Sequence, residues 1–143
     1  MNEPIRVSRY INARPEVVFS FFTSSEKWSI WQGRTAIIDA RPGGVYSMTA
    51  PNRNVASGQV LEIEANRRIS FTWGWAGHPT VPPGSTMVTI ELMADGEGTL
   101  VVLTHSGLPE SETDLHTRGW NHYLVRLVGV AEGRDVGPDD GLP

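Results

Sequence analysis

The chain has 143 residues, of which 39% are hydrophobic and 20% charged, a composition typical of one folded domain rather than of a disordered chain. It has no cysteine, which excludes a disulfide framework, a thiol nucleophile and a cysteine zinc site. The formal net charge is -4 and no run of Lys and Arg occurs, which argues against nucleic acid as a partner. No apolar stretch is long enough to cross a membrane and no signal peptide is recognisable, so we expect a cytoplasmic protein without a membrane partner.

The first elements are a strand and two short helices. Rough alternation of apolar and polar residues predicts a strand over residues 5–11. Pro15 suits a first helical turn, and apolar residues at helical spacing follow it over residues 16–23. A second short helix then carries Trp28 and Trp31.

From residue 34 to residue 105 the pattern has a period of two, which predicts a series of strands. Residues rich in Gly, Pro, Asn and Asp separate them and predict turns. Residues 76–84 hold three prolines and two glycines and are predicted to form a loop. The six predicted strands cover residues 35–40, 45–50, 56–64, 68–75, 86–93 and 99–105.

A long helix follows Pro109, because apolar residues there recur at intervals of three and four. This stripe consists of Trp120, Tyr123, Leu124, Leu127, Val128 and Ala131. Gly133 is expected to end the helix, and with it a domain of residues 1–133. Residues 134–143 are rich in Asp, Gly and Pro and are predicted to be a disordered tail.

Strand hairpins with helices segregated around them predict an α+β fold with one antiparallel sheet. A sheet of seven strands curved around one long helix has an interior. Where the helix does not fill that interior, a pocket is expected.

Seven segments together resemble the START/Bet v 1-like (SRPBCC) superfamily and, more closely, its bacterial stand-alone domains similar to activators of Hsp90 ATPase (AHSA1-type). They span roughly residues 5 to 131, and it is their order that makes the resemblance specific to a fold. The segments are residues 11–19 (INARPEVVF), Trp28 to Trp31, residues 41–44 (RPGG) with Tyr46, residues 58–63 (GQVLEI), residues 69–75 (ISFTWGW), residues 103–109 (LTHSGLP), and Gly119-Trp120 with Leu124 and Leu127.

The resemblance implies a helix-grip fold, in which a curved seven-stranded antiparallel sheet wraps around the long C-terminal helix. Two short helices follow the first strand. Relatives of this kind include polyketide cyclases and aromatases that hold a substrate chain in an internal cavity.

Alternation indicates which side chains of each strand share a face. Ile69, Phe71, Trp73 and Trp75 form one aromatic row, which we expect to face inward because such a row is costly to expose to water. For residues 99–105 alternation leaves both faces open, and the resemblance favours the face that carries His105.

The predicted cavity lining combines these rows with residues of the helices and neighbouring strands. Its indoles and phenyl rings suit a flat apolar or aromatic ligand with a polar edge, although the same residues also suit a plain packed core. The lining set is Trp28, Trp31, Tyr46, Met48, Phe71, Trp73, Val88, Ile90, Val101, Leu103, His105, Trp120, Tyr123, Leu124 and Leu127.

His105 is the principal polar candidate in this set. It could bind a ligand carbonyl or hydroxyl or act as a general base, or it could be a structural histidine at a strand end. His116 and His122 are six residues apart and would not share a helical face, so no metal site is expected. No phosphate-binding loop, serine nucleophile motif or paired acid and base occurs, so no catalytic residue and no cofactor are assigned.

Three functions follow as hypotheses. The first is a small-molecule binding protein with an apolar, aromatic-lined cavity. The second is a cyclase- or aromatase-like enzyme, with His105 and either Tyr46 or Tyr123 as its polar groups. The third is an Hsp90-type co-chaperone or another protein-interaction domain, and a homodimer is also possible.

Overall fold

The computed structural model describes residues 3–142, which form one sheet, two short helices and one long helix. The order along the chain is β1 Ile5–Ile11, α1 Pro15–Ser20, α2 Ser25–Trp31, β2 Thr35–Ile38, β3 Val45–Thr49, β4 Val55–Glu64, β5 Arg68–Trp73, β6 Thr86–Asp95, β7 Gly98–Ser106 and α3 Glu110–Ala131.

The seven strands form one antiparallel sheet in the order β1-β7-β6-β5-β4-β3-β2. Strands β2 to β7 are successive hairpins, whereas β1 lies at the far edge and pairs with β7 from Ile5 opposite His105 to Ile11 opposite Thr99. Helices α1 and α2 connect the two edges, and α3 packs against β1 and α2. The α+β, helix-grip prediction is confirmed.

Local sequence explains where the helices begin and end. Pro15 occupies the first turn of α1, and the Ser24 hydroxyl accepts a hydrogen bond of 3.3 Å from the backbone N–H of Lys27 at the start of α2. Helix α3 begins with two acidic residues in its first turn, which suits the helix dipole. Gly133 follows its end with a φ of 88°, a conformation that glycine adopts without strain.

A bulge in β4 determines which side chains of that strand face the core. The register shifts between Val60, opposite Phe71, and Glu62, opposite Ser70, so one extra residue is inserted. Simple alternation would place Glu62 on the inner face with Val60. The shift leaves Glu62 exposed, where it lies 2.9 Å from the Arg68 guanidinium.

Strand β5 ends at Trp73, two residues before the predicted end, because the following loop folds back onto the chain. A side chain at Gly74 would lie 1.7 Å from the Pro82 carbonyl oxygen, so only glycine fits there. The Trp75 N–H then donates to the Val81 carbonyl at 2.7 Å. Trp75 therefore lies just beyond the end of β5, where one isolated bridge pairs it with Ala56 of β4.

The tail differs from the expectation of disorder. Residues 134–142 form no helix or strand, but they lie along α3 and α2, and Asp139 is only 1% exposed. Specific polar contacts hold this segment, which composition alone does not reveal. Within residues 3–142, none of the helices has the length and apolar character needed to span a membrane.

Candidate functional site

Fourteen of the fifteen predicted lining residues form the packed core between the sheet and α3. Each of them is at most 2% exposed. The exception is Tyr123, which is partly buried and lines a groove described below. The fourteen core residues are Trp28, Trp31, Tyr46, Met48, Phe71, Trp73, Val88, Ile90, Val101, Leu103, His105, Trp120, Leu124 and Leu127.

The aromatic rings of this core contact one another in a continuous series from α2 to α3. Trp28 and Tyr46 have ring centroids 5.1 Å apart, and Tyr46 stacks on Trp73 at 5.9 Å. Trp73 packs against Trp120 at 5.0 Å, and Trp120 meets Tyr123 edge-on at 6.3 Å. These separations are those of directly packed rings, so the aromatic side chains occupy the interior themselves.

Gln32, which ends α2, satisfies two polar atoms of that interior. Its side-chain oxygen accepts hydrogen bonds of 2.7 Å from both the Trp28 indole N–H and the Tyr46 hydroxyl. Burial, with a smaller effect of the nearby Tyr123, raises the pKa of Tyr46 well above its ordinary value. The Tyr46 hydroxyl is therefore a hydrogen-bond donor and not an acid at physiological pH.

His105 has both ring nitrogens bonded. Nδ1 accepts from the Trp120 indole N–H at 2.9 Å, so the proton of the neutral ring is on Nε2, which donates to the Thr86 hydroxyl at 2.8 Å. That hydroxyl donates in turn to the Trp73 carbonyl at 2.7 Å. Burial, and to a lesser extent His116, lowers the pKa of His105 to about 3. The arrangement is that of a neutral structural histidine whose partners are side chains.

An open groove of about 850 Å³ runs along α3 from Glu112 to Tyr123, outside this core. Four segments form its walls: the turn between β3 and β4, the loop after β5, one face of α3 and the C-terminal tail. Trp75, Pro79 and Leu115 are among its apolar residues, and Tyr123 and His122 contribute polar atoms. Its volume and mixed lining are those of a site for a small molecule.

Two histidines shape the wall that the loop after β5 forms. His78 Nδ1 accepts from the backbone N–H groups of Thr80 and Val81 at 3.1 and 3.0 Å, which closes the loop. His116 Nε2 accepts from the Trp75 indole N–H at 3.0 Å, and His116 Nδ1 donates to the Glu112 carbonyl at 2.8 Å. Burial outweighs the effect of Glu112 and lowers the pKa of His116. The Trp75 indole is therefore held in one position.

The C-terminal tail, residues 134–142, forms another wall of the groove, and hydrogen bonds of Asp139 hold it in place. One carboxylate oxygen accepts from the Gly33 N–H at 3.0 Å, and the other lies 3.0 Å from His122 Nε2 and 2.9 Å from the Gly141 N–H. Burial alone would raise the pKa of Asp139, but its contacts with His122, Gly141 and Tyr123 outweigh burial and lower the pKa. These contacts keep Asp140, Gly141 and Leu142 against the groove.

Sequence comparison identifies the family to which this fold belongs. The family model described as "Activator of Hsp90 ATPase homolog 1-like protein" matches residues 12–132. The chain belongs to this family. No curated protein matches the chain significantly. The tail that forms one groove wall lies beyond the matched residues.

Solved structures agree with this assignment. An AHSA1-like protein from Rhizobium etli is 40% identical, with 98% of this chain and 88% of that chain covered and a TM-score of 0.74. CalU16 from Micromonospora echinospora is 26% identical, with 96% and 70% covered and a TM-score of 0.79. The Aha1 dimer from Colwellia psychrerythraea, at 16% identity, with 94% and 97% covered and a TM-score of 0.74, shares the fold.

The groove of this AHSA1-like chain contains residues that sequence patterns did not single out as lining, notably Trp75, His78, Glu112 and His122. They come from a loop and from two turns of α3, and no short motif links them. The aromatic row ending in Trp75 was the one usable signal. Among residues 3–142, no three His, Asp or Glu side chains are placed to hold a metal ion.

Proposed function

We propose that this AHSA1-like protein binds a small molecule with an apolar or aromatic body, and that the ligand occupies the groove rather than the interior. One observation carries the proposal: an opening of about 850 Å³ bordered by a fixed indole, aliphatic side chains and a few polar groups. Sites with this combination of size and lining bury most of the surface of a small ligand. The fold itself is compatible with ligand binding but does not specify a ligand.

Gly119 provides a direct test of the groove. It lies on the groove side of α3, and a side chain built there meets no atom within 4 Å. Gly119→Phe should therefore block the part of the groove beside position 119 without disturbing the core, whereas Gly119→Ala should leave the groove open. We expect a panel of small aromatic compounds, screened by isothermal titration calorimetry and NMR, to contain binders that shift the Trp75 indole N–H resonance.

Gly119→Phe should weaken those binders by at least about tenfold, whereas Gly119→Ala should leave their affinity within a factor of about two. Binding that is equally tight in the Gly119→Phe variant would exclude the part of the groove beside position 119 as the site. A panel without any binder would remove the proposed function.

The enzyme hypothesis finds less support in the site. A general base needs a free lone pair near the substrate, and both ring nitrogens of His105 are bonded in the core. The co-chaperone hypothesis rests on the family description. Pairing into a homodimer, as in the Colwellia protein, stays a prediction that sedimentation velocity would test.

A further inference from the structure

The groove lining carries carboxylates and histidines but no permanently charged cation among the described residues. Among the described residues that line it, Glu112 and Asp140 are acidic, and no Lys or Arg is present. The Asp140 carboxylate lies 3.2 Å from the guanidinium of Arg34, which is not among the lining residues. Glu112 has no such cation beside it, and its side chain is only 20% exposed.

The surroundings of Glu112 leave its carboxylate available to a ligand. Among the Lys, Arg and His side chains of residues 3–142, the nitrogens nearest to Oε1 are His78 Nε2 at 3.6 Å and His116 Nδ1 at 3.7 Å, both beyond hydrogen-bond distance. His116 Nδ1 already donates to the Glu112 backbone carbonyl. Glu112 lines the groove, and its carboxylate accepts no hydrogen bond within 3.5 Å from a described donor. The donor that comes nearest is His78 Nε2, which carries the proton of the neutral ring because Nδ1 accepts from two backbone N–H groups.

Trp75 stands beside this carboxylate, separated from it by one imidazole ring. Its indole N–H bonds one nitrogen of His116, and the other nitrogen of that ring is the one 3.7 Å from Glu112 Oε1. Because its only polar atom is bonded to His116, the indole offers the groove carbon surface. A ligand whose ammonium group meets Glu112 can therefore extend its aromatic ring past His116 onto the carbon surface of the Trp75 indole.

We propose that the groove selects a basic aromatic ligand, an arylalkylamine whose ammonium group faces Glu112 and whose ring packs against Trp75 and Leu115. This inference rests on the proposed function and adds the charge of the ligand. An ammonium donates hydrogen bonds to the Glu112 carboxylate oxygens, and the aromatic ring of the ligand gains from packing against the indole. An anionic ligand of the same shape meets like charge without any Lys or Arg to offset it.

The test compares three probes that share one ring system and differ in charge: naphthylmethylamine, naphthylmethanol and naphthoate. Isothermal titration calorimetry at low ionic strength should give an affinity about tenfold tighter for the amine than for the alcohol, with the carboxylate weakest. Higher ionic strength should reduce the advantage of the amine, since the pairing is only partly buried.

Two isosteric variants provide the matched comparison. Glu112→Gln should abolish the preference for the amine while retaining affinity for the alcohol. Glu110→Gln removes the other acidic residue of the same first helical turn, which is exposed and outside the groove, and should retain the preference. Both variants remove one negative charge from the first turn of α3, so their difference reports the local contact.

An alcohol or carboxylate that binds as tightly as the amine would overturn the inference, and so would an equal effect of the two variants. If the probes then bind with equal affinity but lose that affinity in Gly119→Phe, the proposed function survives without the charge preference. Absence of binding by all three probes overturns the inference and counts against the proposed function. Should Glu112→Gln fail to fold, the ionic-strength series on the unaltered protein decides between the outcomes.

Discussion

Thr86 is the residue on which the buried polar chain of the core depends. Its hydroxyl accepts from His105 and donates to the Trp73 carbonyl, so one oxygen satisfies two groups that have no access to water. A buried group left without its partner costs far more than the net contribution of a hydrogen bond. Its hydroxyl receives the Nε2 proton, whose position on the His105 ring is set by the Trp120 indole bonded to Nδ1.

Thr86→Val retains the shape of the side chain and removes only the hydroxyl. We expect it to lower the free energy of unfolding by about 1–3 kcal/mol, because the His105 N–H and the Trp73 carbonyl lose their partner. The measurement is urea denaturation followed by circular dichroism. Thr89 is a second buried threonine of β6, and its hydroxyl makes no hydrogen bond among those described. Thr89→Val is therefore the control and should change the free energy of unfolding by less than about 0.5 kcal/mol. Equal losses in the two variants would contradict the assigned role.

At the scale of the element, α3 carries two glycines with different surroundings. Both Gly119 and Gly129 lie within Glu110–Ala131, where glycine is unfavourable relative to alanine. A methyl group at Gly119 meets nothing within 4 Å, whereas one at Gly129 would lie 2.6 Å from Cγ1 of Val136 in the tail. The pair therefore separates helix propensity from tail packing.

Gly119→Ala should raise the free energy of unfolding by about 0.5–1 kcal/mol. Gly129→Ala should gain less or lose stability, since Val136 must move. Thermal unfolding of the two variants alongside the unaltered protein measures the difference. An equal gain for both would show that the tail does not constrain the helix.

Arg126 joins three elements through carbonyl oxygens. Its side chain donates to the carbonyl oxygens of Ile30 and Trp31 at 2.9 and 3.1 Å. These carbonyls lie in the last turn of α2, where the helix itself provides no partner. The positive charge also suits the C-terminal end of that helix. On its other side it donates to the tail carbonyls of Val136, Gly137 and Pro138.

Arg126→Met keeps much of the side-chain volume and removes every one of these donors. We expect a loss of about 2–4 kcal/mol in stability and faster hydrogen exchange of the tail backbone. Hydrogen-exchange mass spectrometry reports both effects on one sample. Arg118→Met, on the exposed side of the same helix, should leave stability and exchange almost unchanged. Slow exchange of the tail in the Arg126 variant would refute the role of this contact.

At the scale of the whole molecule, buried neutral histidines make stability depend on pH. The pKa of His105 is lowered from 6.5 to about 3 and that of His116 is lowered as well, so the unfolded chain binds protons that the folded chain does not. The free energy of unfolding should therefore fall as the pH drops below 6.5, by up to about 1.4 kcal/mol per pH unit for His105. Asp139, with a lowered pKa, stabilises the fold above its unfolded value of 3.8 and loses that contribution below it.

Guanidinium denaturation between pH 6.5 and about 4.5 isolates the histidine contribution. The slope of the unfolding free energy against pH gives the number of protons taken up on unfolding. In His105→Gln this number should be smaller by about one, whatever the stability of the variant at neutral pH. An unchanged slope would mean that His105 is charged in the folded protein.

The architecture was predictable from sequence because it depends on periodicity and turn residues. Strand β1 was predicted with both ends correct, and the inward face of β5 followed from its aromatic row. The groove was not predictable in this way. Alternation indicates the side of a sheet on which Trp73 lies, but not whether neighbouring rings leave a space beside it. The docking of Asp139 depends on the Gly33 N–H, which is 106 positions distant in sequence.

The series of packed rings has an optical consequence. Trp75, Trp73 and Trp120 follow one another with centroid separations of 5.3 and 5.0 Å, and Trp28 and Trp31 are 5.3 Å apart. Indoles this close exchange excitation energy within the lifetime of the excited state. A quencher bound against Trp75 in the groove would therefore also reduce the fluorescence of Trp73 and Trp120, which are buried from solvent.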